Sequence, residues 1–476
     1  MKKMYIDGRW CDAASGKRIA VENPATQETA DEMAFGDVAD CRRALEAAQR
    51  ALKPWQKKTA YERGAILKKT ADLMRERADK IARTMTIEQG KPLKEAKAEV
   101  LGSAGYFEWF AEEGKRIYGE IIPPSVASKR HFVVKHPVGV CAAISPWNFP
   151  VSLPVRKISA AMAAGCTVVA RPASQSPLCL AEVFECIEAA GAPPGVANLV
   201  TGPAGPLADE FVGNRICRKI SFTGSTEVGK ELMRKAAGQL KKLSLELGGH
   251  APFIICPDVA PEAAAKVAVA SKFRNNGQVC IAASRFYAPV KAQREFTEAA
   301  VAQAKALRLG NGLEDVDVGP MFEKKALEKA VALVEDARSH GARVLCGGGP
   351  SKRFSKGYFF EPTVVEGVDR SMKLMTEEPF SPILPVAGYG DIDAVIEEAN
   401  NTDYGLAAYL ITRDFPTAIR MWEGLEFGII GINDFAPATP QCPFGGMKES
   451  GIGREGAREG LDPYLETKYI SFNTDI

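Results

Sequence analysis

The sequence has 476 residues, of which 46% are hydrophobic and 25% charged, and its formal net charge is +2. A chain of this size supports a large core and two or three domains, and its near-neutral, interspersed charge gives no field that would attract nucleic acid. The first ten residues lack a signal peptide's apolar run, and no segment reaches the ~18 apolar residues of a spanning helix. We therefore expect a cytoplasmic protein with a small-molecule ligand and no membrane partner.

The eleven cysteines are scattered and form no Cys-x-x-Cys pair, and the four histidines lie away from them in the sequence. This pattern favours neither a zinc site nor a disulfide framework, and it is typical of a reducing compartment. We predict no metal site. Most of the thiols should be small buried hydrophobic groups, with at most one or two that carry chemistry.

The first hundred residues are mostly helical by pattern. Apolar residues recur at helical spacing from Cys41 to Trp55 and again from Tyr61 to Ile117. The prolines between Ile121 and Ser125 end the helix, and HFVVKHPVG, which starts at His131, has the pattern of an extended strand or hairpin arm. The C-terminal segment YLETKYISFN is again strand-like. We predict that it pairs with this hairpin, within one subunit or across a dimer.

From Val138 onward, short apolar runs alternate with helical patterns. The runs GVCAAISP, TVVARP and KISFTG each precede a helix, and the alternation resumes after SRFYAPV and LAAYLITRD. Near-continuous apolar strands that alternate with helices are typical of an α/β fold with parallel sheets.

The segment FRNNGQVC ends at Cys280 and follows a helix predicted from Val259 to Arg274. A cysteine after Gly-Gln on a loop suits a nucleophile, because the glycine lets the backbone approach a ligand. A buried thiol would be the better explanation of one such cysteine alone, so the prediction depends on the other motifs.

Two further motifs supply groups that a thiol nucleophile needs. LELGGH places Glu246 at the end of an apolar strand, where a carboxylate could take the thiol proton or activate water. SPWNFP contains Asn148, whose amide could donate to a developing oxyanion together with the backbone N–H of Cys280. A surface acid at a strand end and a turn residue between prolines are the structural alternatives.

The segment ISFTGSTEVGKELM has the pattern of a phosphate-binding turn. A strand runs into Gly224, Ser225 is predicted to cap the next helix, and Gly229 falls in the second turn of that helix. A helix start of this kind presents backbone N–H groups to a phosphate. The spacing differs from the GxGxxG fingerprint, and a plain glycine turn is the alternative.

Six motifs together resemble the aldehyde dehydrogenase superfamily along essentially the whole chain: SPWNFP, FTGSTEVG, LELGG, NGQVC, EEPFSPI and PFGGMKESGIGREG. The resemblance implies an α/β fold with a Rossmann-type NAD(P)-binding domain (residues 1–117 and 139–246) and an α/β catalytic domain (247–445). It also implies a small β oligomerisation arm with the C-terminal tail (118–138 and 446–476), and hence a homodimer or homotetramer.

The same resemblance implies the roles of the motif residues in catalysis. Cys280 attacks the aldehyde carbonyl, Asn148 stabilises the thiohemiacetal oxyanion, and Glu246 activates water for deacylation after hydride transfer. A thioester splits oxidation from hydrolysis, so that each half needs only one proton-transfer group.

The resemblance also implies where the cofactor lies. Trp147 and Ser225 correspond to contacts with the pyrophosphate, and Glu378 and Phe380 to contacts with the ribose and the nicotinamide.

Arg171 and Ser174 depart from the family pattern, which usually has lysine at the first position and, in NAD-preferring members, often glutamate at the second. Serine would not repel the 2′-phosphate of NADP, and Arg171 could hold that phosphate by a bidentate contact. We predict that NADP is at least accepted, beside NAD.

Arg156 and Arg274 narrow the substrate class. They fall where succinate-semialdehyde dehydrogenases carry an arginine pair that binds the distal carboxylate. The predicted substrate is succinic semialdehyde, with glutaric and 2-oxoglutaric semialdehydes close behind and a hydroxyaldehyde such as lactaldehyde less favoured. Pairing of each arginine with a carboxylate of the protein is the structural alternative.

Two other classes share this fold. A CoA-acylating dehydrogenase would release the thioester to CoA, and Glu246 as a hydrolytic base argues against it. A non-catalytic member of the superfamily should have lost Cys280, Glu246 or Asn148, and all three are present.

Overall fold

The computed structural model describes residues 1–475. The α-helices are α1 (Val38–Lys57), α2 (Ala60–Glu76), α3 (Ala78–Gln89), α4 (Leu93–Glu113), α5 (Ser152–Ala164), α6 (Leu178–Ala189), α7 (Ala204–Gly213), α8 (Thr226–Ala236), α9 (Pro261–Phe273), α10 (Val290–Ala306), α11 (Lys324–Ser339), α12 (Lys373–Thr376), α13 (Ile392–Asn400) and α14 (Phe415–Gly424). The strands of the first half are β1 (Met4–Ile6), β2 (Arg9–Cys11), β3 (Arg18–Asn23), β4 (Glu28–Ala34), β5 (Glu120–Ile122), β6 (Lys129–Pro137), β7 (Val140–Ile144), β8 (Thr167–Arg171), β9 (Ala197–Leu199), β10 (Cys217–Thr223) and β11 (Lys242–Glu246). Those of the second half are β12 (Ala251–Ile255), β13 (Ala283–Pro289), β14 (Arg343–Cys346), β15 (Thr363–Glu366), β16 (Ile383–Tyr389), β17 (Tyr404–Gly405), β18 (Ala407–Ile411), β19 (Ile429–Ile432), β20 (Met447–Lys448), β21 (Gly451–Ile452) and β22 (Leu465–Asn473).

The first large sheet has the strand order β2-β1-β9-β8-β7-β10-β11-β21, and its central strands β9, β8, β7, β10 and β11 run parallel. Strands β7 and β8 are buried at every residue, which explains their unbroken apolar pattern. At the carboxyl edge, Thr223 of β10 pairs with Glu246 of β11. Parallel sheets place ligands at this edge, so the loops that follow these strands form one wall of the site.

The second large sheet has the order β14-β15-β16-β13-β12-β18-β19 and is built from residues between Ala251 and Ile432. All its neighbouring pairs are parallel except the edge pair β14–β15. Cys280 lies just before β13, on the segment that connects α9 to this sheet. The two sheets confirm the predicted α/β fold.

A third sheet is formed by β22, β6 and β5. Strand β22 pairs antiparallel with β6 along its whole length, with Ser471 opposite His131. The predicted pairing of the C-terminal segment with this hairpin is therefore present within one chain. The sheet exposes several large apolar side chains, namely Ile121, Ile122, Phe132, Val134, Tyr469, Ile470 and Phe472.

The prediction that the first hundred residues are mostly helical was wrong for the first 34, which form strands β1 to β4. These strands have only three to seven residues, and in β3 only Val21 is buried, so their apolar pattern is weak. Helices dominate from Val38 onward. Capping boxes at Asp37 and Thr59 start α1 and α2 by binding their first free N–H groups.

No helix among residues 1–475 combines the length and the apolar character needed to cross a membrane. The predicted domain boundaries remain a proposal. They agree with a first sheet drawn from residues 4–246 and a second from 251–432, but β21 carries the C-terminal segment back onto the first sheet, where Gly451 pairs with Glu246.

Candidate active site

Two cavities meet at Cys280. The larger has a volume of about 440 Å³ and the smaller about 190 Å³, and Cys280 and Leu153 line both of them. The larger volume lies in the usual range for cofactor sites. The Cys280 thiol can therefore contact a ligand in the larger cavity and another ligand in the smaller one.

A tight turn after α9 presents Cys280. The helix stops at Phe273, one residue before the predicted end, because Arg274 has a non-helical ψ of 135°. Asn275, Asn276 and Gly277 then have positive φ (45°, 57° and 71°). At position 277 only glycine fits, because a Cβ there would lie 2.2 Å from the carbonyl oxygen of Ser381.

The surroundings of Cys280 favour the protonated thiol over the thiolate. Burial raises its pKa to about 12, and the nearby carboxylates of Glu378 and Glu246 raise it further, while Arg156 acts in the opposite direction. The thiolate is the reactive form, so the chemistry needs a base to remove this proton.

Asn148 lies in the wall of the larger cavity, beside Cys280. Its amide nitrogen donates one hydrogen bond, to the carbonyl oxygen of Gln278 at 3.2 Å. A side-chain amide carries two N–H groups, so the second one can serve an oxyanion on a substrate bound to Cys280.

Glu246 is buried at the carboxyl end of β11 and lines neither cavity. One of its oxygens, Oε2, has no hydrogen-bond partner among the described residues. Burial, and then the neighbouring Glu455, raise the pKa of Glu246 well above its usual value. A carboxyl group in this state is a strong base once it is ionised.

Sequence reasoning missed a buried pair next to Glu246. Lys157 of α5 forms an ion pair with Glu455 and donates to the hydroxyl of Thr223 at 2.6 Å. Lys157 and Arg156 lower the pKa of Glu246, in opposition to Glu455. Lys157 and Glu455 lie 298 positions apart in the sequence, so no contiguous motif contains both of them.

Aromatic side chains line the larger cavity. Trp147 stacks on Phe322 at 4.1 Å between ring centroids and meets Phe380 edge-on at 5.7 Å. Phe380 has φ +48°, a strained conformation for a residue with a side chain. Glu378 lies beside them, and burial raises its pKa to about 7.

The turn after β10 reaches the same cavity through Gly224 and Ser225. Ser225 is the N-cap of α8, as predicted, and its hydroxyl accepts from the backbone N–H of Val228 at 3.4 Å. Gly229 is buried away from the cavity. A Cβ at that position would lie 2.4 Å from the side chain of Leu247, so we attribute this glycine to helix–sheet packing rather than to cofactor contact.

Arg171 is the last residue of β8 and Ser174 follows this strand, and neither residue lines the larger cavity. The Arg171 guanidinium donates to the hydroxyl of Ser174 at 3.1 Å and to the carbonyl of Gly202 at 2.9 Å. Burial lowers its pKa to about 10, and its Nε has no hydrogen-bond partner in the described chain.

Arg156 and Arg274 both line the smaller cavity with Cys280. Arg156 is buried against the rings of Tyr106 and Phe444, at 4.9 Å and 4.3 Å from the ring centroids. Its Nε and Nη1 have no partner, and neither arginine forms an ion pair within residues 1–475. A buried guanidinium without a counterion is costly, so this cavity is suited to an anion.

The site is thus that of a cysteine-dependent enzyme with a nucleotide-sized cavity on one side of the thiol and an anion-binding cavity on the other. The aldehyde dehydrogenase family matches residues 10–470, and the chain belongs to this family. This membership confirms the predicted resemblance and the predicted class of enzyme, an NAD(P)-dependent aldehyde dehydrogenase.

Two characterised relatives are similar over nearly their whole length. The chain is 46% identical to the NADP-dependent succinate-semialdehyde dehydrogenase of Escherichia coli, over 98% of this chain and 97% of the relative. It has the same identity and coverage with the glutarate-semialdehyde dehydrogenase of Pseudomonas putida. The crystal structure of succinate-semialdehyde dehydrogenase from Burkholderia pseudomallei superposes with a TM-score of 0.97 at 42% identity, covering 99% of this chain and 98% of that one.

Proposed function

We propose that the enzyme oxidises a short aldehyde with an ω-carboxylate, succinic semialdehyde first, to the dicarboxylate with NADP+ or NAD+. The observation that carries this proposal is the unpaired, buried Arg156 in the cavity that Cys280 lines. Three relatives support it, because they are named for succinate semialdehyde, glutarate semialdehyde and 3-sulfolactaldehyde, which are all anionic aldehydes.

The first chemical step joins the Cys280 sulfur to the aldehyde carbon. A base takes the thiol proton, the sulfur attacks, and the carbonyl π electrons move to oxygen. The resulting oxyanion accepts hydrogen bonds from the free N–H of Asn148 and from the Cys280 backbone N–H. When NAD(P)+ is bound, it would supply the hydride acceptor for the step from thiohemiacetal to thioester, and the residues of the larger cavity would hold it beside Cys280.

Hydrolysis of the thioester falls to Glu246. Its unpartnered Oε2 can accept a proton from water, and burial raises its pKa above the usual value, which makes the ionised carboxylate a stronger base than an exposed one. The side chain must turn toward Cys280, because it does not line either cavity. Hydrolysis by this carboxylate needs no CoA, so added CoA should not change the rate.

The aromatic wall of the larger cavity fits a nicotinamide dinucleotide. We propose that Trp147 and Ser225 contact the pyrophosphate, that Phe380 contacts the nicotinamide, and that Glu378 accepts from a ribose hydroxyl. A carboxylate at position 174 would repel the 2′-phosphate of NADP. The serine at this position does not, so the site accepts NADP as well as NAD.

Glutaric and 2-oxoglutaric semialdehydes remain the alternatives. One more methylene changes the length of the chain between the carboxylate and the carbonyl. Because Arg274 is exposed and Arg156 is buried, the two arginines can hold carboxylates at different depths in the smaller cavity.

We further propose a homodimer or homotetramer, in which the exposed apolar face of the β22–β6–β5 sheet is covered by another subunit. Exposed apolar patches of this kind mark association surfaces. Ile121→Asp combined with Phe472→Asp should lower the molar mass measured by light scattering. A reducing, cytoplasmic location agrees with the eleven cysteines, which are all free in residues 1–475.

Steady-state kinetics with a panel of aldehydes test the proposed substrate. Formation of NADPH or NADH is followed with succinic, glutaric and 2-oxoglutaric semialdehydes, with lactaldehyde and with the neutral butanal. The proposal expects the highest kcat/KM with succinic semialdehyde and no turnover by Cys280→Ser. Faster turnover of butanal than of every anionic aldehyde would exclude it.

A further inference from the structure

A buried ion pair lies behind the amide of Asn148. Lys91 and Glu99 are only 2% and 7% exposed, and the Lys91 Nζ lies 2.5 Å from Glu99 Oε2. The same Nζ donates to the main-chain carbonyl of Asn148 at 2.8 Å and lies 4.1 Å from the ring centroid of Phe149. Lys91 thus binds the segment that carries the proposed oxyanion donor.

The other oxygen of Glu99 holds the far end of this segment. Glu99 Oε1 accepts from the backbone N–H groups of Val151 at 3.1 Å and Ser152 at 3.0 Å, where α5 begins. A carboxylate at a helix start satisfies free N–H groups and complements the helix dipole. The ion pair therefore fixes the backbone on both sides of the turn after Asn148.

The network continues to the Cys280 loop through Asn275. The Asn275 amide donates to the main-chain carbonyl of Asn148 at 3.0 Å and to that of Gln278 at 3.2 Å. The Asn148 amide donates to the same Gln278 carbonyl. All these groups are buried, and hydrogen bonds in a low-dielectric interior restrain the groups that they join.

We propose that Lys91 and Glu99 are positioning residues that hold the Asn148 amide against the oxyanion formed at Cys280. They touch neither the thiol nor its proton and act through the Asn148 backbone. The inference deepens the proposed function and rests on its oxyanion role for Asn148. A buried ion pair contributes little net stability, since desolvation offsets the attraction, so geometry is the better reason for it.

Glu88 provides a matched control. It is also a fully buried carboxylate that caps a helix, accepting from Leu178 at 2.7 Å and Cys179 at 2.8 Å at the start of α6. It has the same chemistry as Glu99 but no hydrogen bond to Asn148 or to Lys91. Glu88→Gln should therefore lower the melting temperature without changing kcat by more than about twofold.

The test compares Lys91→Met, Lys91→Arg, Glu99→Gln, Asn148→Ala and the double variant Lys91→Met/Asn148→Ala, each assayed below its own melting temperature. Glu99→Gln should lower kcat, whereas its control Glu88→Gln should not. Lys91→Met should lower kcat roughly 10- to 100-fold with little change in KM, because a misplaced donor costs transition-state binding. Lys91→Arg keeps the cation and should recover part of that loss. In the Asn148→Ala background, Lys91→Met should change kcat by less than about threefold.

Two cofactor-free reactions at Cys280 separate this inference from the proposed function. Acylation by p-nitrophenyl acetate passes through an oxyanion and should slow in Lys91→Met by the same factor as kcat. Alkylation by iodoacetamide forms no oxyanion and should keep its wild-type rate. Equal slowing of both reactions, or independent effects of Lys91→Met and Asn148→Ala on kcat, would overturn the positioning role. Failure of wild-type aldehyde oxidation with normal ester acylation would instead contradict the proposed function alone.

Discussion

Arg156 and Cys280 line the same cavity of about 190 Å³, and the Arg156 guanidinium lies there with Nε and Nη1 unpartnered in the described chain. The rings of Tyr106 and Phe444 cover its faces. The edge of the guanidinium is thus the part left for a ligand, and a carboxylate matches that edge with two parallel hydrogen bonds. Because Arg156 and Cys280 share this cavity, the residue that would select an anionic substrate lies beside the residue that would react with its carbonyl.

Replacing Arg156 should separate anionic from neutral substrates. Arg156→Met keeps much of the side-chain volume but removes the charge, so kcat/KM for succinic semialdehyde should fall roughly 100-fold, as expected for loss of a buried charged contact. The same variant should change kcat/KM for butanal by only a few fold. Equal losses with both aldehydes would mean that Arg156 supports the fold instead of the carboxylate.

Gly102 should set the length of the aldehyde. It lies in α4 and lines the smaller cavity, and a Cβ at this position would meet no heavy atom within 4 Å. Gly102→Leu should therefore fill cavity space and lower kcat/KM more for glutaric than for succinic semialdehyde. Leucine is favoured over glycine inside a helix by about 1 kcal/mol, so the Gly102→Leu variant should fold.

Gly205 in α7 is the control for that variant, because its position is equally open and does not line the cavity. Gly205→Leu should leave the ratio of the two kcat/KM values unchanged. A ratio that stays the same in Gly102→Leu would remove this position from the determinants of chain length.

Activity should rise with pH from about 6 to about 9. Burial raises the pKa of Cys280 to about 12 and raises that of Glu246 well above its usual value. Both groups act in their deprotonated forms, whose fractions grow as the pH rises, and the raised pKa values move this growth to higher pH than for exposed groups. The pH profile of kcat/KM measures this dependence. A profile that is flat over this range would contradict it.

The Glu246→Gln variant separates the titration of Cys280 from that of Glu246. Its deacylation should be slow at every pH, while the rate of Cys280 alkylation by iodoacetamide should still increase with pH. An alkylation rate that no longer depends on pH in this variant would show that Glu246, and not the thiol, controls the titration.

Ser174 should control the preference between the two cofactors. Ser174→Glu places a carboxylate beside Arg171, which its hydroxyl already contacts at 3.1 Å. The KM for NADP+ should rise at least roughly tenfold because the carboxylate repels the 2′-phosphate, while the KM for NAD+ should change little. Parallel increases in both KM values would place the 2′-phosphate elsewhere.

Five of the residues predicted from motifs come together in the structure. Trp147, Asn148, Ser225, Cys280 and Glu378 all line the larger cavity. Asn148, Ser225 and Cys280 stand in short segments whose glycines, prolines or strand ends restrict the local backbone, so residue type and spacing made them candidates. The resemblance to the aldehyde dehydrogenase superfamily supplied Trp147 and Glu378 and joined all five into one site. The same reasoning predicted the α/β fold from its unbroken apolar strands.

Sequence reasoning could not supply contacts between distant segments or the direction of a side chain. Lys91 meets the Asn148 carbonyl across 57 positions, and no spacing rule predicts such a contact. Gly229 was assigned to the cofactor by its place in a motif, but Leu247 packs against it. Arg171 has the expected type and place, yet its guanidinium binds the carbonyl of Gly202.

The central claim is a thioester between Cys280 and the oxidised substrate. The most direct measurement is mass spectrometry of Glu246→Gln, quenched with acid after mixing with succinic semialdehyde and NADP+. The account predicts that each active site gains the mass of one succinyl group, located on the peptide that contains Cys280, together with one equivalent of NADPH. A burst of NADPH without the adduct, or the same adduct on Cys280→Ser, would contradict it.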